Sequence, residues 1–130
     1  MKVLGVDYGR KKIGLAIGET EIGLVEPIGM LPSAKFKVQS AKLCQDNDIK
    51  VVVIGITGGE IDEEIKTFGK ELEKETGLPV KFYDETLTTQ DAVKILGQTN
   101  RDKNYKRRME DAISAALMLE SYFGRKEEHV

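Results

Sequence analysis

The sequence predicts an α/β fold with one mixed sheet, and three observations carry that prediction. Residues 2–31 contain three successive extended segments joined by short turns, which is the order of an antiparallel meander. Residues 50–56 form a nearly unbroken β-branched run, as expected of a parallel strand that is buried on both faces. Segments with helical spacing lie before and after this run, and such crossovers connect the parallel strands of a mixed sheet.

The first third of the chain predicts the meander strand by strand. Residues 2–8 form an apolar run, and residues 9–11 form a turn. Residues 12–18 then alternate, with Ile13, Leu15 and Ile17 on one face, so the first two strands form a hairpin. A third extended segment, over residues 22–31, carries apolar side chains spaced by glycines and is stopped by a proline.

The middle of the chain predicts two helical crossovers, each leading to a parallel strand. The first helix is indicated by apolar residues at helical spacing, namely Ala34, Val38, Ala41 and Cys44. The strand at residues 50–56 follows it, and we expect this strand to be central. A second helix opens after the glycines at 58–59 and ends at 77–79. Its apolar face consists of Ile61, Ile65, Phe68 and Leu72. Residues 79–85 form the last strand.

The last third of the chain predicts a short helix over residues 88–97, a flexible loop over 98–104 and a final helix over 105–123. The side chains expected to face the core are Ile113, Ala116, Leu117, Leu119 and Phe123. Small residues at 112 and 114–116 allow this helix to approach the sheet closely. We expect one domain over residues 1–124 and a frayed tail over residues 125–130.

Composition and charge restrict the class of protein. With 130 residues, 40% hydrophobic and 32% charged, the chain has the size and composition of a globular domain. The single cysteine and the lack of a signal peptide or membrane-spanning apolar run lead us to expect a cytoplasmic protein with no membrane partner. The net charge of -2 argues against a general nucleic-acid coat, so any polyanion site must be local. Two basic clusters are candidates: Arg10, Lys11 and Lys12, and Arg101, Lys103, Lys106, Arg107 and Arg108.

Three acids stand out by their positions. Asp7 lies in an apolar strand, where a metal ion or another cation should compensate its charge, although it could instead fix the turn at Gly9. Glu85 ends the last strand at the carboxyl edge, where α/β sheets bind ligands. The adjacent Asp84 competes for that role, because neighbouring strand residues point to opposite faces. Asp111 lies in the first turns of the final helix. There its carboxylate either interacts favourably with the helix dipole or turns toward the sheet.

These acids can converge if both strands end at one edge of the sheet and the final helix packs across them. Hard divalent ions prefer such oxygens, and Mg²⁺ takes a few carboxylates together with substrate phosphates. The single histidine, His129, and the single cysteine cannot form a zinc site or a nucleophile triad. The residues therefore predict a divalent-metal centre beside local basic clusters.

Three ordered motifs carry a resemblance to a known family. They are residues 6–9 with 12–16 (VDYG and KIGLA), residues 84–89 (DETLTT), and Asp111 with residues 115–117 (AAL) and Tyr122. Together they resemble the YqgF family of pre-16S rRNA nucleases, also described as Holliday-junction resolvases.

The resemblance implies a ribonuclease H-like fold with a five-stranded mixed sheet flanked by helices. It also implies Mg²⁺ or Mn²⁺ dependence and phosphodiester hydrolysis at the 5′ end of small-subunit ribosomal RNA. Asp7, Glu85 and Asp111 are the implied metal-binding acids, which favours Glu85 over Asp84. One departure concerns the loop after the central strand, where the family shows a longer Gly-x-Pro loop and residues 55–60 (GITGGE) are short and lack the proline.

The leading hypothesis is a nuclease in which Asp7 bridges the ions and Glu85 and Asp111 complete their shells. The two basic clusters flank these acids in sequence and would hold the nucleic-acid backbone. RNA is favoured over branched DNA, with ribosomal precursor particles as a candidate partner and a monomer or homodimer as the assembly.

Three alternatives remain open. One is a junction resolvase, which needs a symmetric dimer. Another is a nucleotide-binding domain similar to actin-like ATPases and sugar kinases, which bind nucleotide between two domains where this chain has one. The third is a non-catalytic RNA-binding factor.

Overall fold

The computed structural model describes residues 1–84 and 103–128, with side chains for residues 1–84 and 110–124. Within these residues the elements are, in chain order, β1 (Lys2–Asp7), β2 (Lys12–Glu19), β3 (Leu24–Pro32), α1 (Ser33–Asp46), β4 (Ile49–Ile56), α2 (Asp62–Thr76), β5 (Val80–Asp84) and α3 (Lys103–Glu128). The three predicted meander strands, the two crossovers and the two later strands are thus all present.

The strands form a five-stranded sheet in the order β3-β2-β1-β4-β5. β1 pairs antiparallel with β2 and parallel with β4, while β3 continues the meander and β5 runs parallel to β4. The predicted mixed sheet is confirmed. β4 is an interior strand, and its residues are buried except for Lys50 and the half-buried Ile56. The central strand is β1, which ends at Asp7, and not β4 as predicted.

The two faces of the sheet are covered by different helices, because side chains alternate along each strand. On one face, Val6, Ile54 and their neighbours form a core with Phe36 of α1 and Ile65 of α2. On the other face, Val3, Val51, Val53 and Tyr83 form a second core with Met118 and Leu119 of α3. Odd-numbered residues of β1 therefore face α3.

The buried face of α1 differs from the predicted one. Val38 is 85% exposed and Ala34 is exposed, whereas Phe36 is fully buried together with Ser40 and Cys44. At 3.6 residues per turn, Val38 lies about 200° around the helix from Phe36, so both cannot face the sheet. Burying the larger aromatic side chain gains more free energy, and this sets the rotation of the helix.

The other helices agree more closely with the sequence. Ile65 and Leu72 of α2 are buried as predicted, and Gly77 ends that helix with a left-handed φ of 71°. α3 begins at Lys103, so residues 103–104 are helical instead of belonging to the predicted loop, and it continues to Glu128, beyond the predicted end of the helix at residue 123. The predicted helix over residues 88–97 and loop residues 98–102 lie outside the described residues.

The small residues of α3 allow close packing on the sheet, as predicted. Ala112, Ser114, Ala115 and Ala116 are all buried. Three strand residues opposite this helix are glycines, namely Gly5, Gly14 and Gly18, and a Cβ atom added to any of them would meet atoms of α3. The half-buried Ile113 and Leu117 are less enclosed than the predicted face required. The helix therefore lies directly against the backbones of β1 and β2.

Candidate active site

Asp7 is the last residue of β1 and is half-buried. It shares the α3 face of the sheet with Val3 and Gly5, since these odd-numbered residues alternate with the residues that face α1 and α2. Its partner across the hairpin is Gly14 of β2. The central strand therefore delivers this carboxylate to the sheet edge on the side covered by α3.

Asp111 of α3 lies beside that same glycine. A Cβ added to Gly14 would lie 2.8 Å from the Cβ of Asp111, with the carbonyl of Asp111 closer still. Directly opposed strand residues have Cβ atoms about 4.5 to 5.5 Å apart on one face of the sheet, so the Cβ atoms of Asp7 and Asp111 lie at most about 8 Å apart. Carboxylates at that separation can reach one ion between them.

A cleft of about 350 Å³ connects these two acids with the first basic cluster. Its lining includes Asp7, Asp111, the turn at residues 8–11, Lys12 and Ile61 of the segment before α2. The structure thus brings together two of the predicted acids and the three predicted cations Arg10, Lys11 and Lys12. This is the juxtaposition that the predicted site required.

Lys12 forms an ion pair inside this cleft. Its Nζ lies 3.1 Å from Oδ2 of Asp111, with side chains 53% and 27% exposed respectively. Sequence reasoning assigned Lys12 to substrate binding and did not predict this partner. The contact arises because Lys12 begins β2 on the face that α3 covers.

A second set of contacts holds the turn that carries the basic cluster. Tyr8 donates a hydrogen bond of 2.6 Å to Oε2 of Glu64, and Nε of Arg10 lies 3.2 Å from both oxygens of the same carboxylate. The Tyr8 ring packs on Phe68 of α2 with centroids 4.8 Å apart. On the other side, the Ser33 hydroxyl donates to the carbonyl oxygen of Gly9 at 2.7 Å. Both α1 and α2 therefore fix the turn.

These contacts change the acidity of the groups involved. Burial, followed by the hydrogen bond to Glu64, raises the pKa of Tyr8 to about 12. The hydrogen bond from Tyr8, followed by that from Arg10, lowers the pKa of Glu64. Sequence reasoning missed Glu64, because an acid in the first turn of a helix is ordinarily explained by the helix dipole.

The remaining predicted site residues divide into three groups. Asp84 is exposed and follows Tyr83 in β5. Tyr83 faces α3, because its hydroxyl lies 2.6 Å from the Ser121 hydroxyl. Since neighbouring strand residues point to opposite faces, Asp84 points away from the face of Asp7. Glu85 and Arg101 lie outside the described residues. The rest of the second basic cluster lies on the α3 backbone in the turns before Asp111, with side chains outside the described set: Lys103, Lys106, Arg107 and Arg108.

The donor set fits a hard divalent ion as far as it is described. Asp7 and Asp111 offer carboxylate oxygens, which Mg²⁺ and Mn²⁺ prefer. Among the described side chains no three His, Cys, Asp or Glu residues form a group that could hold a metal, so a third acid would come from elsewhere in the chain. No helix in the described part of the chain is long and apolar enough to cross a membrane.

At the level of sequence, this chain is similar to proteins that are named as nucleases or resolvases. A family model described as "RuvX: Holliday junction resolvase" matches residues 1–125. A protein of Clostridium beijerinckii named "Putative pre-16S rRNA nuclease" is 33% identical over 132 residues, covering 94% of this chain and 95% of its own length. A protein of the same name from Carboxydothermus hydrogenoformans is 35% identical over 136 residues, covering 97% and 98%.

Solved structures give the same result for the fold. The Fowlpox virus resolvase in complex with Holliday junction DNA matches with a TM-score of 0.64 and 16% identity, over 97% of this chain and 99% of that one. The RuvC of T. thermophilus in complex with a Holliday junction substrate matches with a TM-score of 0.58 and 13% identity, over 98% and 96%. At such identities the likeness concerns the fold alone, and the predicted ribonuclease H-like architecture is confirmed.

Proposed function

We propose that this chain, which belongs to the RuvX (YqgF) family, is a divalent-metal-dependent nuclease acting on ribosomal RNA precursors. The observation that carries the proposal is the position of Asp7 and Asp111 on one face of the sheet. Both line a cleft that is also lined by the basic residues 10–12. Carboxylates alone would repel a polyanion, whereas carboxylates that hold a divalent ion beside cationic side chains attract one.

Three acids would hold Mg²⁺ or Mn²⁺, namely Asp7, Glu85 and Asp111. Glu85 is preferred to Asp84 because the latter points to the opposite face of the sheet from Asp7. When bound, the ions supply Lewis-acid activation of the attacking water and stabilise the leaving oxygen. This chain's own contribution is to fix the acids on a strand end and a packed helix, so that little rearrangement is needed when the substrate binds.

The basic clusters would hold the phosphate backbone. Arg10, Lys11 and Lys12 line the cleft directly beside Asp7, and Glu64 and Ser33 fix the turn that carries them. Arg107 and Arg108 lie one helical turn before Asp111 in α3, so we propose that the second cluster extends the phosphate-binding surface. Only 6% of the residues are aromatic, which favours recognition of backbone shape over stacking on bases.

We favour RNA over DNA as the substrate, because relatives that are about one third identical to this chain are named for pre-16S rRNA. The 5′ end of that precursor is the proposed site of cleavage, with precursor ribosomal particles as partners and a cytoplasmic location. Resolution of branched DNA is the second candidate, favoured by the description of the matching family, and it requires a homodimer to cut two strands.

The test is a cleavage assay with a single-stranded RNA that spans the 5′ end of 16S rRNA and a four-way DNA junction, in one buffer with Mg²⁺ or Mn²⁺. We expect cleavage of the RNA by the wild type. Asp7→Asn and Asp111→Asn should each reduce the rate by more than the ~100-fold that loss of an outer-shell metal partner costs. The matched control, Asp84→Asn, removes a charge on the opposite face and should cleave normally.

Each outcome has a defined meaning. Full cleavage by Asp7→Asn would remove the proposed metal centre at Asp7, whereas cleavage of the junction in preference to the RNA would select the resolvase. Binding of the RNA without metal-dependent cleavage would select a non-catalytic RNA-binding factor.

A further inference from the structure

The ion pair between Lys12 and Asp111 places an ammonium group where the proposed centre needs a metal ion. Nζ of Lys12 is 3.1 Å from Oδ2 of Asp111, inside the cleft that Asp7 also lines. We propose that Lys12 and a divalent ion compete for the Asp111 carboxylate, so that metal loading releases Lys12 to bind a substrate phosphate. This inference rests on the proposed function and gives Lys12 a second role in it, as a competitor of the metal ion.

An ammonium group and a divalent ion at the same carboxylate repel each other. A divalent ion binds carboxylate oxygens at about 2.0 to 2.2 Å, so an ammonium held 3.1 Å from Oδ2 would lie within a few ångströms of it. The repulsion between cations at such distances is substantial even at the high effective dielectric of a partly exposed site. This repulsion favours movement of the ammonium away from Asp111 when the ion binds.

Lys12 is suited to such a movement. Its side chain is 53% exposed, and its charge is carried at the end of a flexible four-carbon stem. A partly exposed ion pair is worth a factor of only about 1.4 to 5 in an equilibrium constant, so a divalent ion held by several acids can displace it. Arg10, in contrast, is held by its contacts with both carboxylate oxygens of Glu64.

Release of Lys12 would couple metal binding to substrate binding. In the metal-free state the ammonium is neutralised by Asp111, and after metal binding it is available to a phosphate at the same cleft. Coupling of this kind is reciprocal, so the nucleic acid should also tighten metal binding by the same factor. Lys12 then ensures that the cleft presents its full positive charge only when the metal is in place.

Lys11 offers a matched control. It precedes Lys12 directly, lines the same cleft and carries the same charge, and the described part of the chain shows no ion pair for it. Lys11→Gln therefore removes one positive charge from the cleft without removing a competitor from Asp111. Any difference in Mn²⁺ affinity between the two variants therefore reflects the contact with Asp111 and not the net charge of the cleft.

The experiment is a calorimetric titration of the full chain with MnCl2, using wild type, Lys12→Gln, Lys11→Gln and Asp111→Asn. We expect Lys12→Gln to bind Mn²⁺ about 2- to 5-fold more tightly than Lys11→Gln, and Asp111→Asn to bind it much more weakly than wild type. In parallel, the ¹⁵N resonance of the Lys12 ammonium should shift when Mg²⁺ is added, while that of Lys11 should shift less.

The outcomes separate this inference from the function on which it rests. Wild type that binds no Mn²⁺ would overturn both. Wild type that binds Mn²⁺ with Lys12→Gln equal to or weaker than Lys11→Gln would overturn the competition alone and leave the nuclease proposal intact. Circular dichroism of each variant checks that the fold is retained, and the ammonium resonance tests the displacement in the unmutated chain.

Discussion

Replacing Gly14 with alanine tests the packing that brings Asp111 to the end of β1. The new Cβ would lie 2.8 Å from the Cβ of Asp111 and nearer still to its carbonyl, which is backbone and cannot rotate away. Carbon atoms pack at about 3.5 to 4.0 Å, so α3 would have to move by roughly 1 Å at this point. Overpacking of this kind costs about 1 to 3 kcal/mol, and a backbone clash belongs at the upper end.

Alanine also restricts the unfolded chain, which offsets roughly 0.4 to 1 kcal/mol of that cost. We therefore expect Gly14→Ala to lower the free energy of unfolding by about 2 kcal/mol, which lowers the melting temperature by roughly 6 to 10 °C for a domain of this size. Because the shift occurs at Asp111, the affinity for Mn²⁺ should fall as well. Urea unfolding and calorimetric titration measure the two effects.

Two other glycines provide graded comparisons. Gly18→Ala meets the ring of Phe123 at 2.7 Å, and this half-buried side chain can yield, so its cost should be smaller. Gly59→Ala meets only the Thr57 hydroxyl oxygen at 3.4 Å and should be neutral. If Gly14→Ala proved as stable as Gly59→Ala, within about 0.5 kcal/mol, the close packing of α3 on β2 would be refuted.

Three further predictions address the turn, the core and the basic cluster. The pKa of Tyr8 is raised in the folded state, from 10.0 to about 12, so its contribution to stability is complete below pH 10 and is lost as the pH rises toward 12. Urea unfolding of Tyr8→Phe between about pH 9 and about pH 11.5 should show a smaller alkaline loss than wild type, and an equal loss would contradict the assignment. Phe36→Ala should cost about 3 to 5 kcal/mol and Val38→Asp less than about 0.5 kcal/mol, and the reverse order would show that α1 is rotated. Lys11→Gln should reduce the salt dependence of single-stranded RNA binding by a slope of about 0.7, whereas Lys50→Gln, at the opposite end of the sheet, should leave it unchanged. If the Lys50 variant instead lost salt dependence of RNA binding, the binding surface would have to lie away from the cleft.

The strands and their sequence along the chain could be predicted because they depend on local patterns. Alternation over residues 12–18 and the unbroken run at 50–56 reflect burial on one face and on two faces, and short turns leave few ways to connect such strands. The face of α1 could not be predicted in the same way. Its buried stripe contains the polar Ser40, so the apolar but exposed Val38 gave the more regular pattern.

The sequence predicted that Asp7 and Asp111 could converge, but it did not predict their partners in the candidate site. Asp7 and Asp111 are identified by their positions at a strand end and in the final helix, together with the family resemblance. The contacts of Lys12 with Asp111 and of Glu64 with Tyr8 join residues that are distant in sequence. Such contacts depend on how far α2 and α3 lie from the hairpin, which only the packed structure determines.

The central claim is that Asp7 and Asp111 share a divalent ion with Glu85. A crystal structure of the full chain soaked in MnCl2, with anomalous data, tests it most directly. The account predicts a manganese peak between the two aspartates, within coordination distance of both and of Glu85, with the Lys12 ammonium displaced from Asp111. Manganese bound at Asp84, or anywhere that Asp7 does not reach, would contradict it.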